Sequence, residues 1–261
     1  MFGFGKSKKK NEPENKKGIS NSAQQIMNML GCPCKHFPKG SDPAKVMNAY
    51  DDAFAKREQS GYTPLIIAVD NTLLEVVEEI AKNPEELNVN REKLLNSPLL
   101  DAQKWFTERL KYWKDEMGEG WNETVGEFEC EPGNVSKCFS GFMNFGTPRR
   151  SEECILALIP TSEPWEVFAW LPFGGWNECP LPEEILWIAK YWYERYGAVP
   201  AVMTRDVLEF SARPIKDKDA ALGVALEQFA FCQDIVFQGV GTIGRLAGGL
   251  TQSSVWYFWW D

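Results

Sequence analysis

The chain has 261 residues, 44% of them hydrophobic, 13% aromatic and 25% charged, which supports at least one sizeable core and excludes a collagen-like, disulfide-scaffold or wholly disordered chain. Its net charge of −9 is unevenly placed: Met1–Lys17 carries six lysines against Glu12 and Glu14, while the remainder carries 22 basic and 35 acidic residues. The folded body is therefore expected to repel nucleic acid and anionic membrane, and residues 1–17 read as a basic, structureless tail. No run approaches the roughly 20 apolar residues that cross a bilayer, and Ser20–Met29 is interrupted by Asn21, Gln24, Gln25 and Asn28 where a signal peptide needs an unbroken apolar stretch. Seven cysteines at irregular spacing point to free thiols in a reducing cytoplasm.

In chain order, the first periodic stretch is Ser41 to about Gln59. Asp42 and Pro43 start a helix there, and Val46, Met47, Tyr50 and Phe54 fall at helical spacing. Gly61 breaks it. Tyr62–Val69 reads as a strand, buried on both faces because Leu65, Ile66 and Ile67 are consecutive. A helix capped by Asp70 or Asn71 carries Leu73, Leu74, Val76, Val77 and Ile80 and ends near Asn83–Pro84. A longer helix, about Pro98 to Met117, is apolar along Leu99, Ala102, Phe106, Leu110, Trp113 and Met117. From Gly118 to Arg150 the pattern weakens to either a meander of short strands or an irregular connection.

Beyond Arg150, Cys154–Ile159 and Trp165–Leu171 read as two strands of an antiparallel hairpin joined by Pro160–Pro164. Pro172–Pro182, with two glycines and three prolines, is an irregular loop leading into a helix over Pro182–Tyr196 that stops at Gly197. Strands follow at Val199–Thr204 and Val207–Ala212. Next come a helix from Asp217 to about Cys232, a short helix at Thr242–Leu250 and a strand at Ser254–Trp260. The predicted class is α+β: a mixed β-sheet flanked by helices in a C-terminal domain (121–261), preceded by a smaller helical and βα region (18–120).

Five segments occur in order: PFGGWNECP (Pro172–Pro180), RYGA (Arg195–Ala198), RP (Arg213–Pro214), EQFAFCQDIVFQG (Glu227–Gly239) and WYFWWD (Trp256–Asp261). Together they resemble the bacterial family known as domain of unknown function 4253, over roughly the last hundred residues. The resemblance implies a bacterial, mainly cytoplasmic protein with an α+β C-terminal domain. It brings no established activity, substrate or cofactor.

Chemistry must therefore be read from the residues. His36 is the single histidine, which excludes a mechanism needing two imidazoles and any multi-histidine metal site within one chain. Cys32, Cys34 and His36 match no standard zinc spacing and lack a fourth neighbour, so neither a metal nor a cofactor is expected. Cys179 precedes a helix N-terminus and follows Gly174–Gly175, whose amides could face an anion. That makes a thiol nucleophile imaginable, against the alternative of a small residue packed beneath the loop. Glu227, Asp234 and Asp261 could form an acidic cluster, or Asp234 could cap a helix-to-strand corner while Arg213 pairs with a carboxylate.

Trp256–Trp260 places large rings on both faces of a terminal strand. With Trp165, Trp170 and Trp176 these rings suggest an aromatic cleft rimmed by Asn177 and Gln228, the alternative being plain core. The expected binding residues are thus Trp176, Asn177, Cys179, Arg213, Gln228, Asp234, Trp256 and Asp261. The expected function is noncatalytic recognition of a protein or small ligand, in a specific version as an immunity-type protein neutralising a basic effector. The alternative is a hydrolase or transferase using Cys179 or the Asp234 and Asp261 carboxylates.

Overall fold

A computed structural model describes residues 18–261; the basic tail read at 1–17 lies outside the described residues. The first helix, α1 (Asn21–Leu30), forms because the Ser20 hydroxyl accepts the Ala23 amide and because Ala23, Ile26 and Leu30 bury one stripe. The polar residues that argue against a signal peptide occupy its other faces. Strand β1 (Cys34–Phe37) follows, then α2 (Pro43–Phe54), capped by Asp42, and the single turn α3 (Arg57–Ser60). Strand β2 (Thr63–Ala68) is buried at every position, as its continuous apolar run requires.

Asp70 caps α4 (Asn71–Ile80) at the Leu73 amide. Asn83–Pro84, read as a helix end, also starts the next helix, α5 (Pro84–Leu95). Asn83 accepts the Glu86 amide, and the Glu86 carboxylate accepts the Lys82 amide. The long helix α6 (Ala102–Met117) begins later than Pro98 because Asp101 caps it at Lys104. Residues 118–150 resolve the open alternative in favour of an irregular connection. It holds a short helix, α7 (Trp121–Val125), one 3₁₀ turn on either side, and an isolated bridge between Met143 and Ser151.

Strand β3 (Cys154–Ile159) pairs antiparallel with both β1 and β2, not with Trp165–Leu171. The expected hairpin is absent. Pro164 opens a 3₁₀ turn that runs into α8 (Val167–Trp170), with Val167, Phe168 and Ala169 all buried. A short apolar run carries no periodicity to separate a buried helix from a buried strand, and proline at its start favours the helix. Then come α9 (Pro182–Tyr196), β4 (Val199–Met203), β5 (Val207–Ser211), α10 (Lys218–Phe231), a π-helical turn at Ile235–Val240, α11 (Ile243–Leu250) and β6 (Val255–Trp259).

The six strands form one mixed sheet in the order β1-β3-β2-β4-β5-β6; β2 and β4 run parallel and the other pairs antiparallel. The fold is α+β, and its sheet takes β1 and β2 from the stretch before residue 120 and the other four strands from after it. One sheet face carries Leu65, Ile67, Met203, Leu208, Phe210, Trp256 and Phe258 against the main helical layer. At its centre the Trp192 ring of α9 stacks on Phe258 at 5.4 Å and meets Phe106, Phe210, Phe231 and Trp256 within 6 Å. The opposite face is covered by α2 and the residues around Phe139–Phe142, over Ile66, Leu156, Val202 and Val255. At the β6 edge, α11 carries the preceding connection. A Cβ on its Gly248 would meet the Glu129 carbonyl oxygen at 1.9 Å, so only glycine permits this seating.

Candidate functional site

The three segments expected to converge do meet. Asn177, in the left-handed region at φ 48°, donates from Nδ2 to the Asp261 carbonyl. The Asp261 amide donates to Asp234 Oδ2 at 3.3 Å, and the Cys232 thiol donates to the Trp259 carbonyl at 3.0 Å. Asp234 also accepts from Gln238 Nε2, so its role here is to tie the corner to the chain end.

The space between these segments is filled. Trp176 packs edge-on against Phe173 at 4.8 Å, and Phe173 packs on Trp260, which packs on Phe231. Phe173, Trp260, Phe231 and Cys179 are all buried. The Gly175 amide, expected to face an anion, donates instead to the Pro180 carbonyl at 2.9 Å. Gly174, at φ 103°, accommodates that same carbonyl, which a Cβ would meet at 2.1 Å.

Cys179 corrects the nucleophile reading. Burial, followed by the neighbouring Cys232 thiol, pushes its pKa far up rather than down. It is the small packed residue of the alternative. Cys232 is likewise held up, to about 12, by burial.

Glu227 stands apart from Asp234 and Asp261. Its carboxylate accepts from Tyr191 Oη (2.9 Å), Trp192 Nε1 (3.0 Å) and Tyr196 Oη (3.2 Å), a polar knot that keeps a buried acid satisfied. The three acids therefore form no cluster, and among the described residues no group of three histidine, cysteine or acidic side chains is placed to hold a metal. His36 is engaged by Glu153 at 2.7 Å. Arg213 follows the far end of β5, is exposed, and makes no ion pair among those of the described residues. The expected carboxylate partner is absent.

A small hollow of about 210 Å³ lies beside the loop, lined by Asn177 and Cys179 with Trp105 and Arg109 of α6, and larger open space lies on the other side of the corner, along β6. An edge cleft of about 580 Å³ is bounded by Asn134–Ser140, Asp234–Val240, α11 and the β6 strand. It contains three of the expected residues: Gln228, Asp234 and Trp256. Gln228 and Trp256 are each 1% exposed, yet Gln228 Nε2 and Trp256 Nε1 have no acceptor, and neither does Asn134 Nδ2 on the same wall. Buried donors without partners are uncommon and costly.

Strand β6 is also the sheet's free edge. Ala212 donates to the Ser254 carbonyl and Trp260 to the Asp206 carbonyl, so even-numbered residues of β6 turn their backbone polar groups to β5. Val255, Tyr257 and Trp259 turn theirs outward. The Val255 amide is taken by the Ser136 carbonyl and the Trp259 carbonyl by Cys232. Between these ties the Tyr257 amide and carbonyl face the edge.

A second cleft of about 860 Å³ adjoins the first, sharing Ser140, Arg149, Tyr257 and Trp259. It opens at the carboxyl ends of the parallel strands β2 and β4, where Asp70, Thr204 and Asp206 sit, the usual place for a ligand crevice in such sheets. Beneath its wall lies Glu209, 0% exposed. Its carboxylate accepts the Ser140 and Gly141 amides at 2.9 and 3.1 Å and the Ser140 hydroxyl at 3.2 Å. Burial outweighs these donors and pushes its pKa up to about 7. Sequence reasoning missed Glu209. The available signal was an acid on the strand VLEFS, whose other positions are apolar up to the last.

Residues 155–261 match the model of a domain of unknown function, DUF4253. The DUF4253 match spans the Gly174–Pro180 loop, the Cys232–Asp234 corner, Gln228, Glu209 and β6, while Asn134, Ser140, Arg149 and Asp70 precede it. Both clefts are thus walled jointly by the DUF4253 region and the chain before it. No curated protein and no solved structure matches the chain.

Proposed function

We propose that this chain is a noncatalytic binding module whose recognition surface is the edge cleft along β6, and that its ligand is an extended peptide segment of a protein partner. What carries the reading is the pair of donors, Gln228 Nε2 and Trp256 Nε1, which line a cleft without acceptors. Each such group forfeits about 1–3 kcal/mol of hydrogen bonding on burial, which an acceptor-bearing ligand restores. The outward Tyr257 amide and carbonyl offer a strand-addition contact beside them. Net charge of −9 favours a basic partner in a bacterial cytoplasm, as an immunity-type role requires, and disfavours nucleic acid.

The rival enzyme reading lacks comparable support. Its thiol is buried and held protonated, and Asp234 and Asp261 touch through a backbone amide.

The test is affinity purification with the full chain from its source lysate, run beside Tyr257→Pro and Trp256→Phe. A stoichiometric partner retained by the wild type and lost by Tyr257→Pro is expected. No stoichiometric partner, or equal retention by both variants, overturns the reading.

A further inference from the structure

We infer that Cys32 and Cys34 are a redox-active dithiol that exchanges with low-molecular-weight disulfides and closes a Cys32–Cys34 bridge across Pro33. Helix α1 ends at Gly31, in the left-handed region at φ 62°, and the chain turns straight into Cys32. Pro33 is then pinned to the sheet by its carbonyl, which accepts the Leu158 amide at 2.9 Å, and Cys34 enters β1 opposite Ala157. The Cys34 thiol points back at its neighbour: its sulfur lies 3.3 Å from the Cys32 carbonyl oxygen, and the two side chains hydrogen-bond.

These two thiols are partly exposed and adjacent. Of the others, Cys154, Cys179 and Cys232 are buried and Cys130 and Cys138 are exposed.

A cation attends the pair. Arg91 of α5 lays its guanidinium over the Trp170 ring at 3.3 Å, its Nε–H is buried without an acceptor, and its charge acts on Cys32. The Cys34 hydrogen bond, with help from Arg91, lowers the Cys32 pKa against the opposing effect of burial, and the same bond raises that of Cys34. Cys32 is thus the more acidic thiol of the pair. The resolving thiol is held up by its bond to Cys32 and by burial, and the first of these is lost once Cys32 is joined to sulfur in a mixed disulfide.

The exchange balances in two displacements. The Cys32 thiolate attacks one sulfur of a disulfide RS–SR, forming a mixed disulfide and releasing RS⁻. Cys34 gives its proton to the released RS⁻ and attacks Cys32 Sγ, closing the internal bridge and releasing the second RS⁻, which takes back from solvent the proton that Cys32 gave up. Two protein thiols are oxidised by two electrons and the external disulfide is reduced to two thiols. A bridge across a single intervening residue closes a small ring, so it is strained and readily reduced again.

The test equilibrates the full chain with glutathione and glutathione disulfide at graded ratios, followed by acid quench and peptide mass mapping. A wild-type peptide that loses two hydrogens across Cys32–Cys34, reversed by reduced glutathione, is expected. Cys34→Ser should trap glutathione on Cys32, Cys32→Ser should leave Cys34 unmodified, and Arg91→Gln should slow trapping roughly three- to tenfold. Wild type that glutathionylates only Cys130 or Cys138, or that forms no Cys32–Cys34 bridge at any ratio, overturns the inference whatever the variants do.

Discussion

The Gly174–Pro180 loop and the edge cleft are built around the same corner, Cys232–Asp234, and the same terminal strand, yet they end in opposite states. At the loop most convergent groups are used, Asn177 on Asp261, Gly175 on Pro180 and Trp176 on Phe173, although Trp260 Nε1 and Gln233 Oε1 stay buried there without partners. At the cleft, two nearly inaccessible donors, Gln228 Nε2 and Trp256 Nε1, are left without acceptors. Convergence of polar and aromatic residues therefore marks a packed joint as readily as a site. Unmet hydrogen-bonding capacity is common to both, and the larger open volume along β6, about 580 Å³ against about 210 Å³ beside the loop, is what distinguishes the second from the first.

That contrast can be broken most forcefully at the joint. Phe173→Ala removes the ring that links Trp176 to Trp260 at 4.8 and 5.6 Å and should cost about 3–5 kcal/mol, read as a lower midpoint of chemical denaturation. A loss below about 1 kcal/mol would mean the loop is not packed as described.

The next effect sharpens the boundary between the two clefts, where Glu209 holds Ser140 and Gly141. Its folded pKa of about 7 lies above the ordinary glutamate value of 4.5. Folding thus favours its protonated form, so its contribution is complete below about pH 4.5 and is lost as pH rises through about 7. Glu209→Gln, which cannot ionise, should flatten this dependence, with about 3 kcal/mol separating the two pH limits. Denaturation midpoints of both proteins between pH 4 and 8 check the sign; parallel curves refute it.

The smallest effect falls at the edge cleft. Gln228→Leu deletes a donor that bonds to nothing and keeps the side chain's size, so stability should rise by about 1–3 kcal/mol. A loss above about 1 kcal/mol in thermal unfolding would show that this donor already has a partner.

Much of the architecture was legible from residue order. Helices α6, α9 and α10 follow from stripes at three- and four-residue spacing, α9 with Pro182 opening its first turn and α10 with a cap at Asp217, and β2 from its unbroken apolar run. Two kinds of feature were not. Trp165–Trp170 became a helix because a four-residue apolar stretch offers no period to read. Helix α1 is not legible because three buried apolar positions among amides make a faint stripe. At the site, Gln228, Asp234 and Trp256 line one cleft, but away from the Trp176–Cys179 loop expected to share it, and Arg213 and Glu227 stand apart from the residues they were grouped with.

Residue identity alone settled the α+β class, the exclusion of chemistry that needs two histidines and the similarity of the final hundred residues to DUF4253, because these depend on composition, local periodicity and motif order. It could not settle which polar groups would find partners. That outcome depends on which atoms from distant segments occupy the last few ångströms around each donor, and only the packed sheet, with Phe173 wedged against Trp260 and open volume beside Trp256, specifies them.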